Sequence, residues 1–73
     1  MDEQQFKHGI SRAKILWDVD DNKDYWHGYM RGLRRRYYGE KFGTDEEHRR
    51  WMDMIYDDYR KELGQGYRDG LSK

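Results

Sequence analysis

The sequence predicts an all-α protein, a compact bundle of three or four short helices. Two observations lead to this prediction: the 73 residues include no proline, and apolar side chains recur at intervals of three and four residues along most of the chain. No Ser- or Gly-rich linker divides the chain. A sequence of this length forms one domain, which we expect to span residues 1–73 with a core of only one thin layer.

The N-terminal segment, residues 1–20, contains an amphipathic pattern. Four apolar residues recur there at helical spacing: Phe6, Ile10, Ala13 and Trp17. The stretch ILWDV at 15–19 also fits a short strand, so we expect the segment to be helical or only partly ordered. The acidic stretch DVDDNKD at 18–24 follows, and its Asp and Asn side chains are typical helix caps. A second helix is therefore predicted to begin within 18–24.

That second helix is predicted to run through YWHGYMRGLRRRYY and to end at Gly39, since glycine is a typical residue after a helix C-terminus. Its inner face is expected to carry Tyr25, Trp26, Tyr29, Met30, Leu33 and Tyr37. Its opposite face is expected to carry His27, Arg31, Arg34 and Arg35.

Thr44 and Glu47 have the spacing of a capping box, which predicts a third helix from residue 45. The residues expected to point inward from it are Trp51, Met52, Ile55, Tyr56 and Tyr59. We favour a break after Asp57 and Asp58, although one helix over 45–71 is an alternative. A last helix would then carry Tyr59, Leu63, Tyr67 and Leu71 at four-residue spacing.

One motif, Gly-Tyr-x-x-Gly-Leu, occurs twice, at 28–33 and at 66–71. Aligning the copies pairs Tyr25 with Leu63, Gly28 with Gly66, Tyr29 with Tyr67, Gly32 with Gly70 and Leu33 with Leu71. A glycine inside a helix costs roughly 1 kcal/mol relative to alanine, so four of them indicate a compensating close contact. We expect the second and last helices to pack through these faces, as small-xxx-small helix pairs do. A phosphate-binding loop is less favoured, because no strand-turn-helix context is present.

A helix with Gly-Tyr-x-x-Gly-Leu, a connection and a later helix with a Gly-aromatic step resembles the layout of the ribosome modulation factor family. Those are small bacterial proteins that bind ribosomal RNA, so the resemblance implies a ribosome-associated role. The longer string GYMRGLRRRYYGEKFGTDEEHRRW is similar to short uncharacterised proteins of bacterial genomes, prophages and other mobile elements. That second resemblance implies a biological setting and no particular chemistry.

Fifteen basic and fifteen acidic residues cancel, so any attraction to a charged partner must come from local patches. The main basic stretch begins inside the first Gly-Tyr-x-x-Gly-Leu copy at Arg31 and continues beyond it to Lys41, and Tyr37, Tyr38 and Phe42 interleave with it. The residues predicted to bind a partner are His27, Arg31, Arg34, Arg35, Arg36, Tyr38 and Lys41. Such a patch suits RNA phosphates and unstacked bases, or the carboxylates of another protein. The alternative is a solvated helix face without a partner.

The sequence offers little for metal binding or catalysis, and we predict no metal and no cofactor. Cysteine is absent, and the three histidines lack the spacing of a zinc site. His48 is expected to be a hydrogen-bonded core residue, with a ligand or catalytic role less favoured. The stretch 18–24 fails the calcium-loop pattern, since Lys23 and Tyr29 occupy the Gly and Glu positions. Aliphatic hydroxyls are few and stand in no catalytic motif, so we expect no enzymatic activity.

These observations favour a non-enzymatic protein–protein interaction module. By the mobile-element resemblance, it would be a bacterial or phage accessory protein that inhibits a host defence complex in the manner of an anti-CRISPR. The alternative is a small RNA-binding or ribosome-associated protein that uses the basic patch. A homodimer is a further option. No apolar run approaches the roughly 20 residues of a membrane span, so we expect a cytoplasmic protein without membrane contact.

Overall fold

The computed structural model describes residues 1–72 and contains four α-helices over that range. They are α1 (Glu3–Val19), α2 (Lys23–Tyr38), α3 (Asp45–Asp53) and α4 (Lys61–Ser72), and short 3-10 turns follow α2 at Gly39–Lys41 and α3 at Met54–Tyr56. No strand occurs in this range, so the all-α prediction is confirmed and the strand alternative for 15–19 is wrong. The molecule measures 34 × 31 × 16 Å, barely more than one helix diameter in its thinnest direction.

Short polar residues set the helix ends. The Asp2 carboxylate caps α1, and the Asn22 side chain accepts a hydrogen bond from the first turn of α2. The Thr44 hydroxyl accepts from the backbone N–H of Glu47 at 3.0 Å, which confirms the predicted start of α3 at residue 45. Gly39 ends α2 with φ of 67°, a conformation that glycine adopts without a Cβ penalty.

The two glycine motifs pack directly against each other where α2 crosses α4. A Cβ on Gly28 would overlap the carbonyl oxygen of Leu63, and a Cβ on Gly66 would overlap that of Tyr25. Each of these two glycines thus faces the residue that lies three positions before the other glycine. The two helices therefore meet through a reciprocal contact between backbones.

The second pair of glycines repeats this arrangement one turn further along. A Cβ on Gly32 would overlap the carbonyl oxygen of Tyr67, and a Cβ on Gly70 would overlap that of Tyr29. Residue numbers rise together along both helices, so α2 and α4 run parallel. Each carbonyl lies in front of a glycine Cα–H, the arrangement of the Cα–H···O contacts seen between closely packed helices. The predicted packing of the two glycine faces is confirmed.

The likeness between the two halves of the chain extends to the outer helices, α1 and α3. Helix α1 runs antiparallel to α2, with the Phe6 ring stacked on Tyr37 at 4.3 Å between centroids. The Met54–Tyr56 turn packs on α4 at Gly64, where a Cβ would lie 2.6 Å from the backbone nitrogen of Ile55. Helix α4 begins thirty-eight residues after α2, the interval that separates the two motifs. The fold is thus two helical hairpins, α1–α2 and α3–α4, that meet through their second helices.

The buried apolar side chains among the described residues are few: Phe6, Ala13, Leu33 and Tyr67. The prediction that Tyr56 and Tyr59 point inward is wrong, because these side chains are 77% and 93% exposed. The α-helical register ends at Asp53, so Tyr56 in the following 3-10 turn and Tyr59 beyond it no longer continue the inner face of α3. Tyr59 also precedes α4 rather than belonging to it. The predicted division into two helices is confirmed, but α3 ends at Asp53, before the predicted break after Asp57 and Asp58.

Candidate functional site on the first two helices

The four arginines between residues 31 and 36 do not form one surface. Successive residues of a helix are about 100° apart, so a cluster in the sequence spreads around the helix axis. Arg31 and Arg35 are one turn apart and both contact the α3 region. Arg34 and Arg36 line different clefts beside α1.

Arg31 joins α2 to α3 through charge and ring contacts. Its Nη2 lies 3.0 Å from Oε2 of Glu47. Its guanidinium also lies over the rings of Trp51, at 4.8 Å, and Phe42, at 5.2 Å. Cation–π contacts of this kind stabilise a partly buried arginine. Glu47 therefore binds Arg31 and the Thr44 hydroxyl instead of returning a bond to the Thr44 backbone N–H as a complete capping box would.

Arg35 is more deeply enclosed, with a side chain only 11% exposed. It donates hydrogen bonds to the carbonyl oxygen of Phe42 at 3.1 Å and to Asp45 at 3.2 Å. The prediction that Arg31 and Arg35 occupy an outward face is therefore wrong. The connection after Gly39 turns the acidic first turn of α3 back onto this side of α2, and the two arginines hold it there.

A first cleft lies between α1 and α2 and has a volume of about 440 Å³. We call it the mixed cleft, because aromatic, apolar and charged groups of both signs line it. Its lining residues are Lys14, Trp17, Asp18, His27, Met30 and Arg34. Trp17 is 39% exposed, and the Lys23 ammonium lies 4.7 Å from the centre of its ring. Two of the predicted site residues, His27 and Arg34, thus share this cleft.

A second cleft between α1 and α2 has a volume of about 430 Å³. We call it the cationic cleft, because it is lined by basic and aromatic residues and by no acidic one. Its charged and ring-bearing residues are His8, Arg12, Trp26, Tyr29 and Arg36. An acidic group lies near it, since the Trp26 indole N–H donates to Asp20 at 3.2 Å. Among the predicted site residues, only Arg36 lines this cleft.

The remaining predicted site residues, Tyr38 and Lys41, lie at the end of α2 and in the turn after it. Tyr38 is 49% exposed and packs edge-on against Phe6, with 5.4 Å between ring centroids. Lys41 is exposed and forms no ion pair within residues 1–72. The seven predicted residues therefore lie in four separate places: the contact between α2 and α3, the mixed cleft, the cationic cleft and the end of α2.

Two part-buried hydrogen bonds that involve tyrosine hydroxyls join different helices. His48 Nδ1 lies 2.6 Å from the hydroxyl oxygen of Tyr67, so the predicted hydrogen bonding of His48 is confirmed, whereas its side chain is half-buried and does not belong to the core. Burial, and next the positive charge of Arg35, lower the pKa of His48, whereas burial raises the pKa of Tyr67. The Tyr25 hydroxyl donates to Asp69 at 2.5 Å, and burial followed by this bond raises the pKa of Tyr25.

Over the described range, no three His, Asp or Glu side chains come together in a way that could hold a metal ion. None of the helices described is both long enough and apolar enough to cross a membrane.

Comparisons of the chain with protein-family models, with curated proteins and with solved structures each gave no match. The resemblances to ribosome modulation factor and to proteins of mobile elements therefore stay predictions.

Proposed function

We propose that this protein is a non-enzymatic protein-binding module and that the mixed cleft is its partner site. The observation that carries the proposal is the composition of that cleft, which places Trp17, Met30 and Arg34 side by side. Trp, Met and Arg are the residue types most enriched where proteins contact each other. Because Arg31 and Arg35 form ion pairs with α3, the arginines of 31–36 do not form the continuous basic surface that RNA binding favours.

The cleft chemistry defines the partner segment that would fit it. An apolar side chain of the partner would lie against Trp17 and Met30, while a carboxylate beside it would meet Lys14 and Arg34. Asp18 provides an opposite charge at the rim for a basic group. Mixed charges of this kind contribute more to specificity than to raw affinity.

The biological setting follows from the mobile-element resemblance alone. On that analogy, the partner is a host defence complex, and the protein acts as an anti-CRISPR-like inhibitor by occupying a surface of the complex. Nothing in the mixed cleft is specific to that partner.

The cationic cleft favours a second candidate function, the binding of single-stranded RNA. Arg12 and Arg36 would contact phosphates, while a base would stack on Trp26 or Tyr29. The two candidate functions use different residues, so variants in the mixed cleft and in the cationic cleft distinguish between them.

Capture of partners from bacterial lysate tests the proposal, with Arg34→Ala in the mixed cleft and Arg36→Ala in the cationic cleft as a matched pair. We expect a protein that is captured equally with and without nuclease, that is lost with Arg34→Ala and that is retained with Arg36→Ala. Trp17→Ala should reproduce the loss, with circular dichroism confirming that its helices remain. Capture that nuclease and Arg36→Ala both abolish, with a steep dependence on salt, would instead support RNA binding.

A further inference from the structure

Helix α1 carries apolar side chains on the face turned away from α2. Ile15 is 63% exposed and Val19 is 74% exposed, and the half-buried Leu16 adjoins them. We call these three residues the outer α1 stripe. A depression of about 410 Å³ adjoins it and is lined by His8, Ser11, Arg12, Ile15 and Leu16. Exposed apolar side chains grouped on one helix face indicate a surface that another protein covers.

Charges along this face change sign from one end to the other. Arg12 lies one turn before Ile15, and Asp18 lies one turn after it. Neither side chain forms an ion pair with any other residue of the described chain. The face is therefore basic at Arg12 and acidic at Asp18, with Ile15 and Leu16 between the two charges and Val19 just beyond Asp18.

We propose that a second copy of this chain covers the outer α1 stripe, with the two α1 helices antiparallel across a two-fold axis near Ile15. In that arrangement Arg12 of each copy lies level with the partner's Asp18, so the ion pair forms twice. The two Ile15 side chains meet at the axis, and Val19 of each copy lies over the partner's Ser11. A parallel arrangement would instead oppose Arg12 with the partner's Arg12. The charge order along α1 thus selects an antiparallel, self-complementary contact.

The small size of the core also favours this dimer. Only four apolar side chains are buried among the residues described, and the molecule is 16 Å thick. Pairing through α1 would remove Ile15 and Val19 from water. One helix pair contributes less than the roughly 800 Å² per partner of a standard interface, so we expect a weak dimer that forms only as the protein concentration rises.

Charge reversal tests the proposal by sedimentation equilibrium over a series of concentrations. The parent chain should approach the mass of a dimer as concentration rises, and Arg12→Asp and Asp18→Arg should each keep the chain monomeric over the same range. An equimolar mixture of the two variants should regain the dimer mass, because both ion pairs form again in the mixed dimer. Native mass spectrometry then identifies that species as one copy of each variant.

Two further variants show which surface is responsible. Ile15→Glu places a charge at the centre of the outer α1 stripe without touching the mixed cleft, and it should abolish the dimer. Arg49→Asp reverses an exposed charge on α3 and should leave the dimer unchanged. A parent chain that stays monomeric at every concentration overturns the proposal, as does a dimer that Arg12→Asp and Ile15→Glu leave intact. Either result is independent of whether a partner occupies the mixed cleft.

Discussion

The two helical hairpins are alike where they touch and different where they do not. Across the contact between α2 and α4, both hairpins present the same Gly-Tyr-x-x-Gly-Leu motif and make the same backbone contacts. Away from it, α1 has 17 residues and buries Phe6 and Ala13, whereas α3 has nine residues and buries none. A reciprocal backbone contact requires a glycine from each side, while an outer helix only has to cover its neighbour. Sequence identity between the hairpins is therefore concentrated at the backbone contact.

The side chains beside the glycines differ between the two hairpins. Arg31 and Asp69 occupy matching positions of the two motifs, yet they carry opposite charges. Arg31 binds Glu47 of α3, and Asp69 accepts a hydrogen bond from Tyr25 of α2. Each side chain matches its own surroundings, because a side chain, unlike a backbone contact, does not have to be repeated on both helices. Three predictions test this difference between the shared backbone contact and the separate side-chain contacts.

The largest effect is expected from leucine at the shared contact. In Gly32→Leu or Gly70→Leu, the new Cβ meets a carbonyl oxygen of the facing helix, which cannot move without separating α2 from α4. We expect each variant to lose about 3 kcal/mol of unfolding free energy despite better helix propensity. For a domain of this size, that loss lowers Tm by roughly 12–24 °C. Thermal unfolding followed by circular dichroism measures it.

Gly9→Ala provides the control for these two variants. Its Cβ would lie 3.1 Å from Cδ1 of Leu33, the flexible end of a side chain that can shift. Alanine also favours the helix by about 1 kcal/mol, so the variant should be as stable as the parent or slightly more stable. Leucine variants as stable as Gly9→Ala would show that α2 and α4 are not in close contact in solution.

A smaller effect is expected from Tyr25→Phe, which removes the hydrogen bond to Asp69 across the same pair of helices. Hydrogen bonds to charged groups contribute more than neutral ones, so we expect a loss of about 1–2 kcal/mol in a urea titration. Tyr29→Phe is the matched control, because the Tyr29 hydroxyl has no hydrogen-bond partner within residues 1–72. Equal losses in the two variants would contradict a specific role for the bond.

The smallest effect is a dependence on pH through His48. Because its pKa is lowered in the folded chain, the unfolded chain takes up the proton first. Stability is therefore greatest above the unfolded pKa of about 6.5 and falls as the pH drops from there to the folded pKa. Urea titrations at pH 7.5 and 5.5 should show this loss for the parent and a smaller one for His48→Gln. The control variant His27→Gln should lose as much stability as the parent. If His48→Gln loses as much as the parent too, His48 is not the cause of the pH dependence.

Much of this fold could be predicted from local patterns. Thr44 and Gly39 marked helix ends, and the doubled glycine motif identified the α2–α4 contact. The candidate site was less predictable. Trp17 belongs to the apolar pattern of its helix, yet it lines the mixed cleft with His27 and Arg34. No pattern in the sequence indicated the bond between Tyr25 and Asp69, because it joins residues on two distant helices.

The sequence by itself determined what depends on neighbouring residues: the helices, their caps, and the glycines that allow two backbones to approach. Only the tertiary structure decided which polar side chains remain available, because that depends on where α3 returns. Its acidic first turn lies against α2, so Arg31 and Arg35 became internal contacts while Arg34 and Arg36 came to line clefts on α1. A charged side chain forms its contacts with whatever lies nearest in space, and that neighbour is not written in the adjacent sequence.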